Sequence, residues 1–283
     1  MSCRINERRL WTHRIILEAM LHPSSVFCTL TYDDDHLPET HEVIGALNPD
    51  DTKNFLKRLR KVAPLGKIRY YLAGEYGDQT RRPHYHLILF NFPLCDWGGT
   101  RHDIRGRSGC CEACDLIRAV WGKGLIELGD VTPESAQYTA GYTIKKMTHQ
   151  DDERLRQGNA WLPPEFSRKS LKPGLGAGMM PYIAAIPFIM DRGSDDVPSS
   201  LQHGKKILPL GRYLKGKLRE ALDLPKGMPP SEQLRLDAET LFPLRILAKN
   251  SETPLSQIIL ESTGDVDRQL NKRQQISNSR KRL

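Results

Sequence analysis

The order of elements legible in the sequence is strand–helix–strand–strand–helix–strand–helix after a leading basic helix. It predicts an α+β fold on three observations. Residues 67–75 and 84–92 are strand-like runs rich in aromatic and branched apolar side chains. The connector Tyr76-Gly-Asp-Gln-Thr-Arg-Arg-Pro83 is turn chemistry, so the two runs read as an antiparallel hairpin. Helix starts stand at Asn48-Pro49 and Thr132-Pro133, each a capping residue followed by proline at the first helical position.

A chain of 283 residues builds one large or two modest domains with a sizeable core. A formal net charge of +8 and a pI near 9.2 favour a polyanionic partner, nucleic acid first and an acidic membrane second. The longest apolar run, Met179 to Met190, contains Pro181 and Pro187 and is too short to span a bilayer. No charged-then-apolar signal segment opens the sequence. The six cysteines are therefore expected as reduced thiols or metal ligands, not as a disulfide framework.

Residues 5–21 place Leu10, Ile15, Ile16, Ala19 and Met20 at helical spacing among Arg8, Arg9 and Arg14. This is an amphipathic basic helix whose charges face solvent or DNA. Val26 to Tyr32 is a strand, followed by Asp33, Asp34 and Asp35. The helix capped by Asn48 runs to Val62, carries Lys53, Lys57, Arg58, Arg60 and Lys61, and ends at Pro64 and Gly66.

In the second hairpin strand, the period of two puts His84 and His86 on one face and Tyr85, Leu87 and Leu89 on the other, toward a core. A His-x-His pair alone fits a metal site or a pair of polar residues at a sheet edge. Glu75, which the hairpin sets roughly opposite His84, adds a carboxylate and sharpens the metal reading. Such mixed ligation suits Mn, Fe, Co or Zn, and Mg less comfortably.

Residues 93–113 are irregular and contain Cys95, His102, Cys110 and Cys111, with Cys114 just beyond. Cys111-x-x-Cys114 could complete a zinc site with Cys95 and Cys110 or His102; the alternative is unligated thiols in a loop insertion. Asp115 to Trp121 reads as a short helix, Gly124 to Val131 as a strand, and Thr132 to Met147 as a helix. On that last helix Tyr138 and Tyr142 share a face, with Lys145 and Lys146 a turn beyond, a pattern open to packing or to chemistry. Gly141, mid-helix, costs about 1 kcal/mol relative to alanine, so a close neighbour is expected there.

After residue 150, Pro163, Pro164, Pro173 and Gly174-Leu-Gly-Ala-Gly178 suggest loops. The glycines follow no strand, so they are read as a flexible linker beside Arg168, Lys169 and Lys172, not as a phosphate loop. Residues 231–247 read as helix and 271–283 as a basic disordered tail.

Three blocks stand in order: Phe27-Cys-Thr-Leu-Thr-Tyr32, His84-Tyr-His86 and Tyr138-x3-Tyr142-x2-Lys145. This order resembles the HUH endonucleases that initiate rolling-circle replication. Gly74-Glu-Tyr-Gly-Asp78, Arg82-Pro-His-Tyr-His86, Ala140-Gly-Tyr-Thr-Ile-Lys-Lys146 and Ser170-Leu-Lys-Pro-Gly-Leu-Gly176 look like the replication initiators of the microviruses, above all the gokushovirus group. The resemblance spans roughly residues 5–180. The cysteine-bearing loop is not a feature of the group's core.

The resemblance implies a central antiparallel sheet of four to five strands backed by helices. An endonuclease domain over 1–180 would precede a partly helical extension over 181–283. It implies that Tyr138 or Tyr142 cleaves single-stranded DNA at a replication origin, forming a 5′-phosphotyrosine and a free 3′-hydroxyl. Free tyrosine has a pKa of about 10, so only on the order of 0.1% is phenolate at pH 7 and the attack needs help. A divalent ion, Mg²⁺ or Mn²⁺, on Glu75, His84 and His86 would polarise the phosphate, and Lys145 would offset negative charge. Arg81, Arg82, Lys146 and Lys57 are the expected DNA contacts. Host helicase and polymerase are the expected partners, in the host bacterial cytoplasm, with no membrane. The rival readings are a metal-dependent phosphoesterase acting through water, a transposase or relaxase on the same scaffold, and a non-catalytic DNA-binding module.

Overall fold

The computed structural model describes residues 2–39, 43–96, 110–145, 153–186, 189, 196–227, 230–251 and 253–262, with side chains left out at 2–4, 142–145, 154 and 232. The chain divides into two compact units, Arg8–Met179 on one hand and Met1–Glu7 with Met180–Leu283 on the other.

The larger unit is built on one five-stranded sheet. Its strands are β1 (Ser25–Thr31), β2 (Arg69–Tyr76), β3 (Pro83–Phe90), β4 (Ile126–Asp130) and, after the short pair β5 (Arg156–Gln157) and β6 (Ala160–Trp161), β7 (Phe166–Lys169). The order is β4-β1-β3-β2-β7, and every pairing is antiparallel. The expected α+β architecture is thus what the chain adopts, with the histidine strand β3 at the centre.

Alternation along the strands builds two different faces. Cys28, Leu30, Tyr85, Leu87, Leu89 and Leu128 pack against Phe55, Leu56 and Leu59 of α2 (Pro49–Val62) and Ile117 and Trp121 of α3 (Glu112–Trp121). The opposite face packs Tyr71, Ile88 and Phe90 against Ile15 of α1 (Ser2–Ala19) and Ala136 and Ala140 of α4 (Pro133–Lys145).

The helix starts form as their sequence dictates. The Asn48 side chain accepts from Asp50 N at 3.0 Å, with Pro49 at the first position. The Asn48 amide also donates to Tyr85 Oη at 2.8 Å, fixing α2 to the sheet. At α4, Thr132 Oγ1 accepts from Ser135 N (3.1 Å) and Ser135 Oγ from Thr132 N (2.8 Å), a reciprocal cap. Gly141 has the close neighbour its position calls for: a Cβ there would stand 3.3 Å from Arg8 Cδ. Gly124 admits no side chain, because its φ is +139° and a Cβ would meet Asp33 N at 2.3 Å.

The flexible-linker reading of residues 174–178 is overturned. Leu175 is fully buried, Arg14 Nε donates to Leu175 O at 3.0 Å, and Gly176 N donates to Glu18 Oε2 at 2.7 Å. Glu18 also pairs with buried Arg69, whose Nη2 donates to Pro173 O at 2.7 Å. The glycine run is a tight anchor between α1 and β2. Gly176 lies at φ +79° with a Cβ position only 3.2 Å from Arg14 O, so glycine here answers crowding and not a need for mobility.

The second unit contains α5 (Met180–Ala184), the hairpin of β8 (Ser200–His203) and β9 (Lys206–Pro209), α6 (Gly211–Ala221) and α7 (Pro230–Ser251). Buried Asp196 is held by Arg219 and by Lys215 Nζ at 3.0 Å. Residues 271–283, read as a disordered tail, lie outside the described residues, as do His102 and the rest of 97–109. Among the described residues no helix is long and apolar enough to cross a membrane.

Candidate active site

Register sets the site. β1, β3 and β2 pair so that Thr31, His84 and Glu75 stand in one row across the sheet. One pleat on, Glu127 of β4, Thr29, His86 and Ala73 form the next row. All project toward the face shared with α1 and α4.

Glu75 Oε1 lies 2.8 Å from His84 Nε2 and 2.9 Å from His86 Nε2, and the carboxylate is buried. Each imidazole is held from behind. His84 Nδ1 is 3.1 Å from Arg82 O, and His86 Nδ1 is 3.1 Å from Thr29 Oγ1. A carbonyl only accepts, so His84 Nδ1 carries the proton. In the neutral tautomer the Nε2 lone pair then faces a carboxylate oxygen, a repulsive contact. A second proton or a shared cation resolves it.

The site fits the cation. Three ligand atoms lie within 4.8 Å of one another, Glu75 Oε2 is buried without a hydrogen-bond partner, and the Nδ1 partners orient the rings as metal-bound histidines need. Burial pushes the Glu75 carboxyl up, but hydrogen bonds from His84 and His86 and their charge outweigh it, and the net shift is downward. Burial drives His86 down against the pull of Glu75, which favours the neutral form a metal requires. Glu75, His84 and His86 can therefore hold a divalent ion.

Tyr138 comes to this cluster from α4. Its ring stands edge-on to His86 at 5.3 Å between centroids and to Phe27 at 6.2 Å, and 45% of the residue stays exposed. Together with His84, His86, Arg82, Thr29 and Glu127 it lines an open cavity of about 770 Å³. That volume admits a nucleotide-sized group.

The other expected residues are distributed differently. Tyr142 and Lys145 occupy the last turn of α4, but their side chains, and all of Lys146, lie outside the described residues. Arg82 lines the cavity while donating to Tyr32 O (2.9 Å) and Asp34 (2.7 Å). Arg81 sits in the β2–β3 turn at φ +57° and is not among the cavity's lining residues. Lys57 is exposed on α2, which packs on the opposite face of the sheet; an amphipathic helix shows which side it buries, not which layer it joins.

Three participants escape the motif reading. Thr29 supports His86, Glu127 puts a second carboxylate on the cavity wall, and Phe27 stacks on His86 at 5.5 Å. Their signal was alternation in Phe27-Cys-Thr-Leu-Thr31, where Phe27, Thr29 and Thr31 share a face. It becomes readable only once β1 is known to lie beside β3.

Residues 25–147 match the family of the replication-associated protein ORF2. The chain is 35% identical over 160 residues to Replication-associated protein VP4 of Bdellovibrio phage phiMH2K, covering 54% of this chain and 49% of that one. It is 36% identical over 182 residues to Replication-associated protein ORF2 of Spiroplasma virus 4, covering 62% and 54%. It is 31% identical over 141 residues to Replication-associated protein ORF4 of Chlamydia phage 1, covering 46% and 33%. The chain thus spans about half the length of the first two curated relatives. No solved structure matches it. The resemblance read from the motifs holds: this chain is a relative of phage replication-associated proteins, microvirus-like in kind, and its role lies in phage replication initiation.

Proposed function

We propose that the chain is an HUH-type endonuclease that nicks and rejoins single-stranded DNA at a rolling-circle origin, in the host bacterial cytoplasm, with Tyr138 as a nucleophile. The observation that carries this reading is the meeting of Tyr138 with His86 in one open cavity. Glu75, His84 and His86 would hold the Mg²⁺ or Mn²⁺ ion, which when bound supplies Lewis acidity at the scissile phosphate.

The step is a transesterification. The Tyr138 oxygen forms a bond to phosphorus, the bond from phosphorus to the 3′-oxygen breaks, and that oxygen leaves as a hydroxyl after taking a proton. The phenol proton passes to the cavity, where Glu127 is an exposed acceptor. The tyrosine ester conserves the phosphodiester for rejoining. The family resemblance assigns the returning attack to Tyr142 and charge compensation to Lys145. Arg82, on the cavity wall, is placed to meet the strand, and Arg81 and Lys146 are the further contacts the resemblance implies. Host helicase and polymerase would then extend the free 3′-end.

Glu127 also supports a second reading, a metal-dependent phosphoesterase in which that carboxylate activates water. One assay separates the two. The chain is incubated with a single-stranded origin oligonucleotide and Mn²⁺ and resolved on a denaturing gel. A covalent adduct, lost in Tyr138→Phe/Tyr142→Phe and in His84→Ala, is the expected result. Cleavage without adduct supports water; an adduct surviving the double change removes the proposed nucleophiles.

A further inference from the structure

A second cluster of ligand-competent side chains lies in the α2/α3 core, away from the histidine face. Cys95, just after β3, and Cys110, Cys111 and Cys114, around the start of α3, bring four sulfurs within 4.8 Å of one another. We propose that these four cysteines hold a tetrahedral, structural Zn²⁺ ion.

Distance separates the candidate chemistries. A disulfide needs sulfurs about 2.05 Å apart. Cys95 and Cys110 Sγ stand 3.7 Å apart, and no disulfide forms among the described cysteines. Zinc–sulfur bonds of about 2.3 Å in a tetrahedron put neighbouring sulfurs about 3.8 Å apart. The observed spacing is that of an edge of such a tetrahedron. Closed four-sulfur coordination with no open position is the mark of a structural site, not a catalytic one.

The surroundings suit thiolates. The backbone N–H groups of Cys114 and Asp96 donate to the Cys111 sulfur. Cys111 is the N-cap residue of the ten-residue helix α3, and Cys114 lies in its first turn, where the helix end favours negative charge. Cys95 and Cys114 are buried, so an ion here would be shielded from exchange.

The consequence is a clamp from the end of β3 to the start of α3. From α3, Trp121 donates its indole N–H to Thr31 O at 3.1 Å, and Thr31 lines the cavity. The zinc would hold α3 against the sheet and leave the DNA chemistry to the other face. The inference does not rest on the nuclease proposal, and its readout is separate.

The test uses the full chain. After gel filtration with a mild chelator, one zinc per chain is expected by elemental analysis, with release on titration of the thiols by a mercurial. Cobalt exchanged into the same protein should show thiolate-to-cobalt charge transfer and strong tetrahedral d–d bands. Both signals should vanish in Cys111→Ser/Cys114→Ser and persist in Glu75→Gln. A cobalt spectrum of the unmutated chain without the thiolate band overturns the site even if the cysteine variants fail to fold. So does iron in place of zinc, or zinc that survives both cysteine changes.

Discussion

The two faces of β3 are made by alternate residues of one strand, yet they differ in how completely they are satisfied. On the α2/α3 face, Tyr32 Oη donates to Asp51 (2.8 Å), Tyr76 Oη to Pro163 O (2.9 Å) and Tyr85 Oη to Asn48 O (3.0 Å). Burial pushes all three phenols up, Tyr85 to about 12, so they stay neutral and inert. On the α1/α4 face, Glu75 Oε2 is buried without a partner and Tyr138 stands open to a cavity. A structure that satisfies its polar groups on one side and leaves a buried carboxylate oxygen bare on the other marks the second side for a ligand. Burial thus sorts tyrosines that composition alone cannot tell apart.

The sharpest way to break this contrast is to trade a residue from each face. Trp121→Ala removes a fully buried ring packed on Tyr32, Phe55 and Tyr85 and should cost about 3–5 kcal/mol in urea unfolding. Glu75→Gln should leave stability within about 1 kcal/mol, because the carboxylate it replaces is under-satisfied, while Mn²⁺ binding by calorimetry is lost. Equal stability losses in the two variants would refute the division of labour.

Thr29→Val tests the support behind the metal ligands. It keeps the shape of the side chain but removes the oxygen 3.1 Å from His86 Nδ1. Mn²⁺ affinity should weaken about 10–100-fold, the usual cost of losing such a partner. On the closed face, Tyr32→Phe should cost about 1–2 kcal/mol of stability and leave adduct yield per folded molecule unchanged. A Tyr32 variant that lost adduct without losing stability would mean that the closed face takes part in the chemistry.

The sequence made visible whatever rests on local period. His84 and His86 fall on one face because strands alternate, and Glu75 opposes His84 because the hairpin connector is short enough to fix register. Glu127 and Thr29 were hidden because β1 pairs with β4 across roughly a hundred residues, and no local pattern encodes that neighbour. Cys95 could not be assigned to Cys110, Cys111 and Cys114 for the same reason: spacing along a loop does not fix distance through space. The glycines at 174–178 misled because composition reports conformational freedom, while crowding against α1 was the operative demand.

The smallest effect should come from Lys57, and it follows from layer assignment. A lysine that meets a phosphate of single-stranded DNA contributes about 0.7 to the slope of log affinity against log salt. Lys57 is exposed on α2, whose apolar side packs on the face away from the histidines, and it does not line the cavity. Lys57→Ala should therefore shift the slope by clearly less than about 0.7. Arg82→Ala, at the cavity wall, should shift it by about that amount despite the pairing of Arg82 with Asp34. The two variants differ by one charge each, so net charge alone predicts equal shifts. Unequal shifts would place the strand on the histidine face, and equal ones would mean that it wraps past the sheet edge onto α2.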